Sequence, residues 1–256
     1  MDSRRRLSRP VRIAGRALFG GGPARVTLSP GVPGAGWRWA LGSAPCEDLH
    51  PRHRVALPRR SALEDRRGRA DLCEHLLAAL LLADIDDCDL RFENRESPIL
   101  DGSAAPWLLA IRQSGIRGRR TNRDSTLSVD IHGQGQSMTW TSAPRAGVTA
   151  DRLASARTFV HQREAIMLRA SGAFPGAQPG CAVVLGDEGR TALYGGRPRL
   201  PQETLAHKLL DVLGDLAPWR ARGRLTGRLQ IDNPGHSTNG PEIAAALADG
   251  RLRFTS

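Results

Sequence analysis

Lys208 is the only lysine among the 37 lysines and arginines of this 256-residue chain, and it follows His207 directly and precedes Asp211 by three residues. Elsewhere fixed positive charge is written as arginine. Either a strong arginine bias spared one lysine by chance, or this position needs a compact ammonium on a flexible stem. The segment from Ala206 to Leu216 has leucines at helical spacing after a start near Pro201 and Glu203, which predicts a helix. Residues four apart on a helix lie one above the other, so His207, Asp211 and Asp215 share a face. That face is either a solvated polar stripe or one side of a site where an imidazole and a carboxylate reach the same metal ion.

A third ligand is needed, and Glu74-His75 offers one. The pair opens the apolar run Leu76-Leu77-Ala78-Ala79-Leu80-Leu81-Leu82-Ala83, which must be buried. A glutamate and a histidine at the start of a buried helix are costly unless paired or bound to something; a backbone carbonyl satisfying a core histidine is the simpler alternative. Taken with the second helix, the donors are two imidazoles and one carboxylate. With a fourth position left to water, such a set makes a hydrolytic zinc site, and a separate carboxylate takes the proton of the water.

Longer motifs carry a family resemblance. Cys73 to Trp107, with Glu74-His75-Leu76-Leu77-Ala78-Ala79-Leu80 and Ser97-Pro98-Ile99-Leu100-Asp101-Gly102-Ser103-Ala104-Ala105-Pro106, closely resembles the bacterial UDP-3-O-acyl-N-acetylglucosamine deacetylases of lipid A synthesis. Ala156-Arg157-Thr158-Phe159, His207-Lys208-Leu209-Leu210-Asp211 through Gly214-Asp215-Leu216, and Gly235-His236 with Asn239 are similar to three later motifs of that family, in the family's order and over nearly the whole chain. The resemblance implies that His75, His207 and Asp211 hold a catalytic zinc, with iron suiting the same donors, and that Glu74 is the general base. It implies that His236, oriented by Asp215, protonates the departing amine or steadies negative charge. Lys208 and Thr158 would stabilise the oxyanion. Phe159 would line the substrate pocket, next to Arg157. The substrate implied is a UDP-linked, 3-O-acylated N-acetylglucosamine, from which acetate is released. A deacetylase of another N-acetylated sugar, or a relative that binds without turnover, are the alternatives.

The chain departs from the pattern in places, as a divergent and shortened member would. In Gly15-Arg16-Ala17-Leu18-Phe19-Gly20-Gly21, Phe19 takes the place of the family's histidine. Cys73 replaces a small aliphatic residue, and Asn233-Pro234-Gly235-His236 replaces Lys-Ser-Gly-His, so a family lysine is missing. The stretch from Ser137 to Ala154 is shorter and more polar than the family's strands.

The elements that must position these residues read as follows. Helices are expected at Leu72 to Ala83, Ala105 to Gln113, Asp151 to Arg157, Gln202 to Leu213 and Pro241 to Leu247, and strands around Leu7 to Leu18, Arg25 to Leu28, Leu127 to His132 and Leu225 to Ile231. The length suits two domains of roughly 100 to 150 residues. A charged stretch lacking apolar periodicity, residues 119–124, reads as the linker between domains 1–118 and 125–256. The resemblance agrees: it implies an α+β fold of two similar domains, each a small β-sheet against a pair of α-helices, with the active site between them. Cys181-Ala182-Val183-Val184-Leu185, after the glycine- and proline-rich stretch 172–180, reads as a buried strand. In the family a strand and helix insert here encloses the fatty acyl chain. The insert falls near 160–185, with Arg163 to Ser171 as its helix and Ile166, Met167 and Leu168 as candidate lining residues.

Composition narrows the partners. A net charge of +11 and the basic run containing His50, Arg52, His53, Arg54, Arg59, Arg60, Arg66, Arg67 and Arg69 raise nucleic-acid binding as a rival. Aromatic residues are scarce, no stacking platform interleaves with the arginines, and no phosphate loop or paired-cysteine finger is present. The expected partners are a small acylated UDP-sugar, no nucleic acid, and transient contact with an anionic membrane surface, the protein itself being a monomer. Val11 to Phe19 is broken by Arg12 and Arg16 and lacks a signal-peptide core. The longest apolar run, Leu76 to Ala83, is far short of the roughly 20 residues that span a bilayer. Cys46, Cys73, Cys88 and Cys181 show no paired metal spacing. A cytoplasmic location is expected.

Overall fold

A computed structural model describes residues 4–118, 126–133, 135–142, 148–186 and 197–255. The linker expected at 119–124 lies outside the described residues. The fold is α+β. Six helices are described: α1 (Glu74–Leu82), α2 (Ala105–Gln113), α3 (Ala150–Ala154), α4 (Gln162–Ala170), α5 (Glu203–Arg220) and α6 (His236–Ala248).

Two larger sheets carry them. The first runs in the order Val11–Arg16, Pro23–Pro30, Cys88–Phe92, Trp37–Leu41, Glu47–Asp48, antiparallel except where Trp37–Leu41 runs parallel to Cys88–Phe92. The second has the order Gln136–Thr141, Leu127–Gly133, Arg224–Asp232, Leu252–Thr255, with Leu127–Gly133 and Arg224–Asp232 parallel. Ala24, Val26 and Leu28 point into the core while Arg25 stays outside, the two-residue period of a half-buried strand. A three-stranded antiparallel sheet, Arg54–Leu57, Arg60–Asp65 and Gly68–Asp71, lies before α1.

All nine residues of α1 are buried, as a helix that is apolar on every side requires. It starts at Glu74 rather than Leu72, because Leu72 adopts a left-handed conformation at φ 59, which a helix cannot continue. Helix α5 runs seven residues beyond the expected Leu213. Gly214 and Pro218, of types that are poor helix formers, both lie inside the helix. Helix α6 begins at His236, five residues before the expected Pro241, and α3 ends at Ala154, so Arg157 and Thr158 follow it in extended chain. The single strand expected from Leu7 to Leu18 is two: Arg6–Leu7 pairs with Ile116–Arg117, and Val11–Arg16 joins the first sheet.

A buried charge cluster ties distant segments together. Asp86 accepts from the Arg5 backbone N–H at 2.7 Å, from Arg220 at 2.7 Å and from Arg224 at 2.9 Å. Burial alone would raise the Asp86 carboxyl, but Arg220 and the other donors hold it below the usual carboxylate range. Its contribution to stability is therefore complete above the unfolded carboxyl pKa of about 3.9 and fades as pH falls through the lower folded value. Asp86→Asn is expected to lower stability at neutral pH by about 3 kcal/mol, and by much less near pH 2, in paired denaturant titrations.

Candidate metal centre

Helices α1 and α5 meet at Gly214. A Cβ there would sit 2.3 Å from the Glu74 carbonyl oxygen and 2.9 Å from the Glu74 Cα, so only glycine lets the two backbones approach this closely. The contact lies between Asp211 and Asp215 on one helix and one residue from His75 on the other. Their side chains are thereby brought into one small volume.

His75, His207 and Asp211 each turn a ligand-type atom toward a common point, all within 4.8 Å of one another. Nε2 of His207 is 3.5 Å from Asp211 Oδ1, Nε2 of His75 is 3.9 Å from the same oxygen, and the two rings are nearly perpendicular with centroids 5.0 Å apart. Nδ1 of His207 lies 3.0 Å from the Ala156 carbonyl oxygen. An N–H there fixes the tautomer that leaves Nε2 free to coordinate. Asp211 Oδ1 is buried and accepts no hydrogen bond. An orphaned carboxylate oxygen aimed between two imidazole nitrogens is a donor arrangement that suits a cation. Burial pushes the Asp211 carboxyl up against the pull of His207 and His236, and pushes His75 well below the usual imidazole range, helped by His207. The donors fit a divalent ion that takes nitrogen and oxygen ligands.

Glu74 and His236 flank this point. His236 Nε2 lies 4.0 Å from Glu74 Oε1 and 3.9 Å from Asp211 Oδ2. Burial raises the Glu74 carboxyl to about 8, against the opposing charge of His236. Burial would lower His236, but the carboxylates of Asp211, Asp215 and Glu74 together raise it to about 10. Asp215 is fully buried. Burial works against its charge, yet His236 and Arg54 hold its carboxyl down at about 2. Its Oδ2 accepts from His236 Nδ1 at 3.0 Å and from Asn239 Nδ2 at 2.8 Å; its Oδ1 accepts from Ser61 Oγ and from Arg54 Nε at 3.0 Å.

A cavity of about 1420 Å³ opens beside these groups. Lys208, Thr158, Phe159 and His236 line it with His207 and Asp211. Leu168 also faces it, with Ala165 and Arg169 of the same helix, but Ile166 and Met167 do not: they are 61% and 65% exposed, on the side of α4 turned away from the cavity. Both are corrected as lining residues. Arg157 borders the cavity, but its guanidinium is engaged inside the protein, with Glu203 at 2.9 and 3.2 Å and the Arg197 carbonyl at 3.0 Å, so it holds the start of α5 against the insert. The insert strand expected at Cys181 to Leu185 is Val183–Leu185, parallel to Phe159–His161.

Phe19 packs edge-on against Phe174 with centroids 4.8 Å apart, under the Arg60 guanidinium at 3.8 Å. Phe19 is thus held by an aromatic and a cation–π contact. The buried Cys73 thiol donates to the Ser61 carbonyl at 3.5 Å. Much of the basic run is engaged within the fold: Arg60 and Arg69 pair with Asp71, Arg67 with Asp65, and Arg59 with Glu164 of α4. Arg54 and Ser61, both directed at Asp215, carry no motif that a linear reading could find. Their partner lies more than 150 residues away.

Two imidazoles and a carboxylate around one point, with a second buried carboxylate and a histidine beside them, define a metal-assisted hydrolase. A family model described as UDP-3-O-acyl N-acetylglycosamine deacetylase matches residues 4–150 and again 126–248. The chain belongs to that family. It is 27% identical over 276 residues to the UDP-3-O-acyl-N-acetylglucosamine deacetylase of Anaeromyxobacter sp. (strain Fw109-5), covering 96% of this chain and 89% of that protein. The enzyme of the same name from Haemophilus influenzae (strain 86-028NP) is 25% identical over 282 residues, covering 97% and 91%. That of Brucella melitensis biotype 2 is 27% identical over 275 residues, covering 95% and 94%.

Proposed function

We propose that this chain hydrolyses the N-acetyl group of a UDP-linked, 3-O-acylated N-acetylglucosamine in lipid A biosynthesis, using zinc held by His75, His207 and Asp211. The observation that carries this reading is the unpartnered Asp211 Oδ1 facing both imidazoles. A bound divalent ion supplies Lewis acidity, lowering the pKa of water and polarising a carbonyl.

The remaining chemistry belongs to side chains. Glu74 takes a proton from water as its oxygen adds to the acetamide carbon. Lys208 and Thr158, at the cavity wall, donate to the oxyanion that develops. His236 delivers a proton to the amide nitrogen as the C–N bond breaks, leaving acetate and a free amine. Phe159 and Leu168 border the substrate. The apolar side of the cavity, including Leu18, Ile99, Phe174 and Val184, suits the acyl chain.

Among the described residues no helix is long and apolar enough to cross a membrane, and all four cysteines are free, which supports a reducing, cytoplasmic setting. Every donor of the centre comes from one chain, so a monomer suffices. Contact with an anionic membrane surface accords with the +11 charge.

Purified protein is expected to carry about one zinc per chain and to release acetate from the acylated nucleotide sugar. Release from the unacylated sugar alone would move the reading to another N-acetylated sugar; metal without any release would leave a binding protein. Iron in place of zinc, found by elemental analysis, would change the metal and keep the reaction. Lys208→Arg is expected to lower turnover by about 100-fold, because a planar fork cannot take the ammonium's place. Near-normal turnover in that variant would remove Lys208 from the oxyanion site.

A further inference from the structure

Arg54 belongs to the strand Arg54–Leu57, outside the two helices that carry the metal donors, yet its side chain is only 7% exposed. The guanidinium donates from Nε to Asp215 Oδ1 at 3.0 Å, lies with a terminal nitrogen 2.9 Å from Asp215 Oδ2, and donates to the His236 carbonyl at 2.6 Å. It therefore grips both the carboxylate beneath the imidazole and the backbone of the residue that bears the imidazole. Bidentate, charge-assisted contacts of this kind fix direction as well as charge. We propose that Arg54 is a positioning residue for the deacetylation, acting through Asp215 to hold the His236 ring with its Nδ1–H on the carboxylate and its Nε2 toward the reacting amide.

Three observations support this. First, Asp215 receives N–H and O–H donors from Arg54, Ser61, Asn239 and His236. A carboxylate so saturated stays an acceptor, which makes the Nδ1 of His236 the donor. An acceptor held in that way keeps the imidazole in one tautomer and one orientation. Second, the Arg54 head has room only because α6 carries glycine at position 240: a Cβ there would lie 2.8 Å from the guanidinium Nη1. Third, glycine is a poor choice as the fifth residue of a 13-residue helix unless space requires it, and Gly240 is buried against this contact.

The proposal deepens the deacetylase reading and rests on it, so its test has one arm that needs no substrate. With the zinc-loaded protein, Arg54→Met is expected to lower kcat by about 100-fold while leaving KM and zinc content unchanged. Arg54→Lys, which keeps the charge without the fork, should recover part of the loss and remain about 10-fold low. Gly240→Ala should lower kcat a few-fold despite alanine's higher helix propensity. In an Asp215→Asn background, Arg54→Met should cost less than about 2-fold, since the two residues act as one unit. The second arm is nitrogen-15 NMR of the histidines. The Nδ1–H of His236 should be protected from exchange in the wild type and exposed in Arg54→Met.

Wild-type protein that releases no acetate speaks against the deacetylase reading, and the NMR arm then decides Arg54 alone. Arg54→Met with kcat within about 2-fold of wild type, losses that multiply with Asp215→Asn, or an unchanged His236 signal would overturn the proposal. If Arg54→Met does not fold, Arg54→Lys and Gly240→Ala carry the test, and wild-type kcat in both overturns it.

Discussion

Asp211→Ala is expected to lose metal and activity together. Its Oδ1 lies within 4 Å of both imidazole Nε2 atoms, so removal of the carboxylate leaves two neutral ligands, too few for tight tetrahedral binding. Metal content should fall from about one per chain to a small fraction after dialysis against buffer. Turnover should fall by at least about 1000-fold, since the Lewis acid contributes several kcal/mol and each 1.36 kcal/mol is a factor of ten. Stability separates this outcome from misfolding. Burial opposes the Asp211 charge, so the metal-free variant should melt no lower than metal-free wild type, while added zinc should raise the wild-type Tm alone. A variant that keeps stoichiometric zinc after dialysis would show that the ligand set is drawn wrongly.

Glu74→Gln is expected to produce the opposite pairing, with metal retained and rate lost. The amide is isosteric and can still accept from the Ser61 backbone N–H, which now bonds Glu74 Oε2 at 3.1 Å, but it cannot take a proton from water. A fall of about 1000-fold in kcat is the usual scale for losing a general base. Because burial disfavours the charged form of Glu74, replacing it with a neutral group should leave Tm unchanged or slightly higher. Loss of zinc alongside rate would place Glu74 among the ligands instead of beside them.

The donors themselves were readable in the chain. Glu74-His75 at the head of an apolar run, and His207 with Asp211 four residues on, announce themselves because helical geometry is local. Helix α2 also starts and ends where periodicity places it. What surrounds them is not local. The strand from Trp37 to Leu41 lacks clean alternation, and although Cys88–Phe92 alternates apolar and charged residues, its central place in the sheet comes only from its neighbours on either side. The arginines between His50 and Arg69 raise nucleic-acid binding as a rival in the sequence, and composition argues against it without saying where they point. In the fold, Arg54 reaches across 161 residues to Asp215, and Arg60, Arg67 and Arg69 find aspartates on their own small sheet. Charge in a sequence has a sign and a position but no direction, and direction separates an internal ion pair from a binding face. Ile166 and Met167 show the same limit on α4: a nine-residue helix with three adjacent apolar residues turns only one of them, Leu168, inward to the cavity.

The Gly214 contact has a consequence for how such a chain can vary. Main chain rests on main chain there, so the gap between the imidazole of one helix and the donors of the other is gauged by the peptide backbone and a single missing methyl. Side chains that do not touch the centre can then change without retuning the distances that a cation would feel. The tolerance is bought at one position, where even alanine would act as a wedge.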